Sequence, residues 1–245
     1  MVYDRTCTGD LLAGLRHRPA NTAWGRLLQN AGERAAASGA GLGLSHSWMV
    51  GGALYSLLGR FDAWQGFDDW PTALRWLADR PGDRPIAEVQ FWGHGKWGCA
   101  RIGDERLSRA SLAGEHPHHG PLRAIAARMD PAARMDPAAR MDPAARMGPA
   151  GLWWFRTCET FGAAEGHGFA VDFVDFMGCR AAGHTYVIGP WQSGLHSLAP
   201  GQRPGWSREE GLAEGSADQP LRAHWSRREE PNTVSCLQGR IPAGY

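Results

Sequence analysis

Apolar residues in this chain come in short blocks, each ending at a polar side chain followed by glycine. Two blocks stand out: Val89-Gln90-Phe91-Trp92-Gly93-His94-Gly95-Lys96-Trp97-Gly98, and Leu152-Trp153-Trp154-Phe155-Arg156-Thr157-Cys158-Glu159-Thr160-Phe161-Gly162. Runs of this length, rich in aromatic and β-branched residues, read as buried strands. A polar residue just past a buried parallel strand lies at the carboxyl edge of the sheet, where open α/β proteins place their sites. His94 and Cys158 are therefore expected on neighbouring loops at one edge of one sheet.

The remaining pattern fills in around these strands. Val2 to Cys7 predicts a first short strand ending at Asp4 and Arg5. Leu11–Leu15 and Trp24–Ala37 have helical spacing, and Ser38–Leu44 is a glycine-rich loop. Ser47–Leu58 fits either a helix or a strand. Asp69-Trp70-Pro71 is a helix start, with Asp69 as cap and Ala73, Leu74, Trp76 and Leu77 on the buried face. Residues 99–103 and 105–107 predict a small hairpin, Ser108–Ala113 opens a helix, and residues 115–120 form a polar loop. Gly166–Met177 predicts a helix stopped by Gly178, with Phe169, Phe173, Phe176 and Met177 on one face. Thr185–Ile188 reads as a further strand, entered from residues 181–184. Residues 191–206 read as loop, and residues 207–245 as a polar, peripheral or partly disordered extension. Strand–helix alternation around both key segments predicts an α/β domain over residues 1–206, with a largely parallel sheet flanked by helices.

From Arg128 the unit Arg-Met-Asp-Pro-Ala-Ala repeats with a period of six. Pro131, Pro137, Pro143 and Pro149 disfavour a long helix. With no apolar stripe to bury, this low-complexity tandem repeat predicts an exposed insertion over residues 127–150.

Composition narrows the classes of function. At 245 residues and 43% hydrophobic, the chain can bury one substantial core. A net charge of +1 gives no electrostatic case for nucleic acid or an anionic membrane. No apolar stretch is long enough to span a bilayer, and the first residues do not read as a secretion signal. Five scattered cysteines argue against a disulfide framework and for a reducing, cytoplasmic setting. Lys96 is the only lysine, a bias that reads as codon usage in a GC-rich, bacterial genome.

The candidate chemistry is a thiol and an imidazole. The base takes the thiol proton and the sulfur attacks a carbonyl. As structural alternatives, Cys158 is a small buried hydrophobe and His94 satisfies backbone groups. Glu159 either orients His94, shapes the pocket, or is a solvated loop charge. His116, His118 and His119 cluster without completing a metal set, so no metal or cofactor is expected. Cys179 and His184 suit packing or a cap, and His196 lies in a turn that could approach a site. The twelve tryptophans, Trp97 and Trp191 among them, suggest either an aromatic-lined groove for peptide or sugar or plain packing. No serine-hydrolase elbow, Walker motif or dinucleotide fingerprint is present.

Apolar strand, His-Gly, small hairpin, helix, apolar strand, Cys and helix, over residues 85–190, resembles caspase-like cysteine peptidases (the caspase, legumain, gingipain and separase group), in their diverged bacterial branch. Thr157 stands where that family often has Ala or Gly, and its Gln-Ala-Cys-x-Gly signature is absent. The resemblance implies His94 as general base and Cys158 as nucleophile, with the N–H groups of Gly95 and Cys158 forming the oxyanion hole. It implies a protein or peptide substrate, or the chain itself. The end of the first strand would help line the specificity pocket, where Arg5 suits an acidic side chain and Asp4 a basic one. The alternatives are a catalytically inactive domain of this fold that binds a protein partner, or a tryptophan-built carbohydrate-binding module.

Overall fold

A computed structural model describes residues 1–7, 43–80, 85–129 and 151–242. The predicted helices within residues 11–37, most of the glycine-rich loop at 38–44, and all of the repeat from residue 130 lie outside the described residues. In order, the elements are β1 (Val2–Asp4), α1 (Leu44–Leu57), β2 (Gln65–Phe67), α2 (Trp70–Ala78), β3 (Glu88–Trp92), β4 (His94–Lys96), β5 (Cys99–Ile102) and β6 (Glu105–Ser108). A 3-10 turn (Arg109–Leu112), α3 (His119–Met129), β7 (Leu152–Arg156), α4 (Ala163–Met177), β8 (Arg180–His184), β9 (Trp191–Gln192) and β10 (Leu195–Leu198) follow. The chain ends in β11 (Leu212–Gly215), β12 (Pro220–Ala223) and β13 (Val234–Ser235).

The architecture is α/β, with a mixed, mostly parallel central sheet and four helices among the described residues. Its six strands run in the order β10-β8-β7-β3-β1-β2, and only β10 is antiparallel to its neighbour. Side chains alternate across the sheet, as the two-residue period of a strand requires. Val2, Val89, Phe91, Trp153, Phe155 and Ala181 join the core cluster beneath α2, α3 and α4. Their neighbours Tyr3, Trp92, Trp154 and Ala182 belong to the opposite face.

Each helix follows from its local sequence. Asp69 caps α2 by accepting from the Thr72 N–H at 2.7 Å, with Pro71 in the first turn. Trp70, Ala73, Leu74 and Leu77 are buried, whereas Trp76 is only half-buried, under Arg80. Residues 47–58, open between helix and strand in the sequence, belong to α1 and its end. Gly178 ends α4 in the left-handed region, φ 62°, which costs glycine little.

Four expectations are corrected. Helix α3 was not anticipated, although Leu122, Ile125, Ala126 and Met129 form a buried stripe at i, i+3, i+4 and i+7; a Gly-Pro pair and an arginine-rich exposed face mask it. The expected helix opening at Ser108 is a single 3-10 turn. The strand expected at Thr185–Ile188 lies earlier, at Arg180–His184, because glycine and alanine there let Phe161 pack tightly against the sheet.

The fourth correction is the tail. Residues 234–241 are packed against the sheet face opposite α2, α3 and α4. Val234 is buried with Trp154, Ala182 and Leu195, and β13 pairs with β9. The anchor is Arg156, 3% exposed, with its guanidinium between the rings of Trp92 (4.7 Å) and Trp154 (4.5 Å). It donates to the Cys236 carbonyl at 2.9 Å, the Gln238 carbonyl at 3.1 Å and Gln192 Oε1. Tyr55 donates to the same Cys236 carbonyl and the Gln90 amide to the Gly239 carbonyl.

At the opposite end of the strands, the Gly151 N–H reaches the Met129 carbonyl at 3.4 Å. Met129 and Gly151 therefore lie side by side, at the amino end of β7.

Arg156→Leu should destabilise the domain by about 3 kcal/mol, because it strands buried acceptors that now receive a charged donor. Urea denaturation measures this, and limited proteolysis should cut residues 230–242 earlier than in the parent.

Candidate functional site

Strands β3 and β7 are adjacent and parallel, and their last register pair is Trp92 with Arg156. His94 and Cys158 each lie two residues beyond that pair in sequence, past the carboxyl ends of their strands. His94 does not sit on a loop, as expected, but opens β4, the first strand of a three-stranded antiparallel unit with β5 and β6.

The two segments are in direct backbone contact at Gly95. A Cβ built there would lie 2.6 Å from the Cys158 carbonyl oxygen and 2.7 Å from Thr157 Cβ. Only glycine lets β4 lie this close to the loop after β7. Further bonds lock the two together. The Gly98 N–H donates to the Thr160 carbonyl at 3.1 Å, and the Thr160 hydroxyl lies within hydrogen-bond reach of the Cys158 carbonyl at 3.2 Å and the Cys99 carbonyl at 3.4 Å. On the other side, the Glu159 N–H donates to the Tyr186 carbonyl and the Phe161 N–H to the His184 carbonyl. Within this loop Glu159 and Ala163 hold φ of 55° and 60°, a strained setting for residues with side chains.

Cys158 is half-buried, and its thiol approaches the Ile188 carbonyl at 3.9 Å. Burial, with a smaller push from Glu159, raises its pKa to about 11. His94 keeps an exposed surface while its ring meets Trp48 edge-on at 5.6 Å. Desolvation lowers its pKa, against the pull of Asp4. Both groups are therefore held in their neutral forms at pH 7: an imidazole able to accept a proton and a thiol able to give one.

The other predicted site residues separate into those at this edge and those spent elsewhere. Asp4 is 1% exposed at the end of β1 and accepts from the Thr6 N–H and hydroxyl. A Cβ on Gly93 would lie 3.2 Å from Asp4 Cβ, which places Asp4 beside the strand that leads to His94. Arg5 points into solvent and pairs with Asp68. Glu159 is not a solvated charge: it is 6% exposed, its Oε2 has no hydrogen-bond partner, and burial raises its pKa. Lys96 opposes that rise and rests over the Trp97 ring at 4.3 Å. Trp97 packs on the loop at Gly162. Trp191 is partly exposed at the β9–β13 pair, three residues from Ile188, with Arg228 nearby at 5.8 Å.

The side candidates have structural occupations. Cys179 is buried, with its thiol pushed up to about 12. His184 is buried, lowered to about 3 and bonded to the Ser193 carbonyl. His116 and His118 touch ring to ring, while His119 bonds the Leu112 carbonyl. His196 pairs with Glu210 at 2.7 Å and stacks on Trp206. Among the tryptophans, Trp70, Trp153 and Trp154 are fully buried in packing. Sequence reasoning did not single out Trp48, Thr160 or the Ile188 carbonyl. All three reach the site through tertiary contacts, and no local pattern marks them.

No protein-family model, curated protein or solved structure matches this chain.

Two outcomes follow from the geometry. Gly95→Ala should cost about 1–3 kcal/mol in chemical denaturation through overpacking, whereas Gly120→Ala, where a Cβ meets open space, should not. Alkylation of Cys158 by a small neutral reagent, followed by mass spectrometry, should quicken about tenfold per pH unit from pH 7 to 10, without a plateau, because the thiolate is the reacting form. A plateau with a midpoint below pH 8 would mean a thiolate–imidazolium pair instead.

Proposed function

We propose that this chain is a caspase-like cysteine peptidase in which His94 and Cys158 act as a dyad on a protein or peptide substrate, or on the chain itself. The observation that carries the reading is that the segments following the adjacent parallel strands β3 and β7 hold the two residues chosen from sequence for their chemistry, with the Gly95 backbone against the Cys158 carbonyl. The succession of strand, His-Gly, small antiparallel unit, helix, strand, Cys and helix supports the same family.

The neutral pair sets the order of events. As the Cys158 sulfur bonds to the scissile carbonyl carbon, His94 takes the thiol proton. The carbonyl oxygen becomes an oxyanion facing the N–H groups of Gly95 and Cys158. When the intermediate collapses, the carbon–nitrogen bond breaks and His94 returns the proton to the leaving amine. Water, deprotonated by His94, then hydrolyses the thioester and restores the thiol. Asp4 favours the transient imidazolium by its charge. With Arg5 paired to Asp68, Asp4 and Glu159 are the acidic groups near the cleft, which favours a basic residue beside the cut. Trp97, packed at Gly162, and Trp191, three residues past Ile188, supply aromatic surface near the Cys158 loop. Five free thiols fit a reducing, cytoplasmic setting.

A second reading is an inactive domain of this fold that binds a protein partner, favoured by the high resting pKa of Cys158.

A peptide electrophile bearing a basic residue should label Cys158 in the parent chain and not in Cys158→Ala, and His94→Ala should slow labelling at least a hundredfold at pH 7. Equal labelling of the parent and of His94→Ala favours the inactive domain. Undiminished labelling of Cys158→Ala sinks the peptidase reading.

A further inference from the structure

A basic cleft of about 660 Å³ opens against the first turns of α4, lined by Arg109, His167, Gly168, Asp172, Arg203, Trp206 and Arg208. We propose that this cleft is a binding site for a small phosphate monoester, held chiefly by Arg203 and Arg208.

Three observations carry the assignment. The first is charge. Three guanidinium groups line a cleft whose one lining carboxylate, Asp172, is already paired with Arg109 at 2.6 Å, while the Glu209 carboxylate outside the lining acts on Arg208 by charge alone. Arg203 and Arg208 make no hydrogen bond or ion pair to any described residue. Two unpaired guanidinium forks suit a doubly charged oxyanion better than a carboxylate or a neutral ligand.

The second is the scaffold. The segment that carries both arginines is pinned along its length. The Gly201 N–H donates to Asp175 Oδ1 of α4 at 2.7 Å, the Gln202 side chain accepts from the Ala199 N–H, and the Trp206 indole donates to the Phe161 carbonyl at 3.1 Å. Arg109 is held over α4, where a Cβ on Gly168 would lie 3.0 Å from its Nη1. Arginines on a fixed frame lose less freedom when an anion binds.

The third is His167. It lines the cleft, is only 9% exposed, and its Nε2 has no hydrogen-bond partner. A buried ring nitrogen left unsatisfied is costly, and an oxyanion in the cleft lies on its side of the helix. The Trp206 faces are occupied by Phe161 and His196, so an aromatic ring of a ligand has no stacking surface there. That favours a compact phosphate ester over a nucleotide.

The charged and titratable groups around His167 are Arg109, Asp172, Arg203, Arg208, Glu209 and His196. Burial lowers the His167 pKa first and Arg208 lowers it further. An anion that neutralises Arg208 therefore raises it, which makes the imidazole a built-in reporter.

The test titrates the full chain with inorganic phosphate at constant ionic strength, with chloride as control, and follows His167 by NMR. Expected are saturable binding, a rise in the His167 pKa, at least tenfold weaker binding in Arg208→Ala, and none detectable in R203A/R208A. Both arginines are exposed, so unchanged thermal melting of the variants shows that folding is intact. A phosphate response that never saturates and equals that of chloride overturns the site, as does saturable binding unchanged in the double variant.

Discussion

Everything at the carboxyl edge depends on the parallel pairing of β3 and β7. Their five-residue register brings Trp92 opposite Arg156, so the segments that carry His94 and Cys158 leave the sheet from neighbouring strand ends. A shift of one residue would turn Phe91 and Phe155 out of the core and move His94 away from Cys158 together. Core packing and site geometry are thus one constraint. Phe91, Trp153 and Phe155 are each fully buried, so the register is secured by the same side chains that hold the sheet to its helices.

The second face of that sheet is closed differently. Where α2, α3 and α4 cover one side, α1 covers the other near β1 and the C-terminal strands cover it near β7 and β8. Extended chain brings few large apolar side chains, so polar contacts carry more of the attachment. Arg156 serves this role: its charge is delocalised, its flat faces rest on two indoles, and its fork reaches carbonyls that a tail without helix must present.

Much of this was legible in the sequence because it is local. Blocks ending at His94 and Cys158, the Asp69 cap and the Gly178 stop all announce themselves through residue types that have few other uses. What stayed hidden arises from contacts distant along the chain. Glu159 reads as a loop charge until the fold buries it, and the stretch around Cys236 and Gln238 reads as a polar extension because its partner, Arg156, lies some eighty residues upstream. Helix α3 escaped notice for another reason: its buried stripe is only four residues wide in a segment otherwise rich in arginine and histidine.

The close approach of Met129 and Gly151 has an evolutionary corollary. Both mouths of the hexapeptide tract are tied at one point, at the amino ends of the strands, a full sheet length from His94 and Cys158. A change in copy number therefore alters the sequence between two neighbouring anchor points on the amino rim and none of the described residues that set the opposite rim.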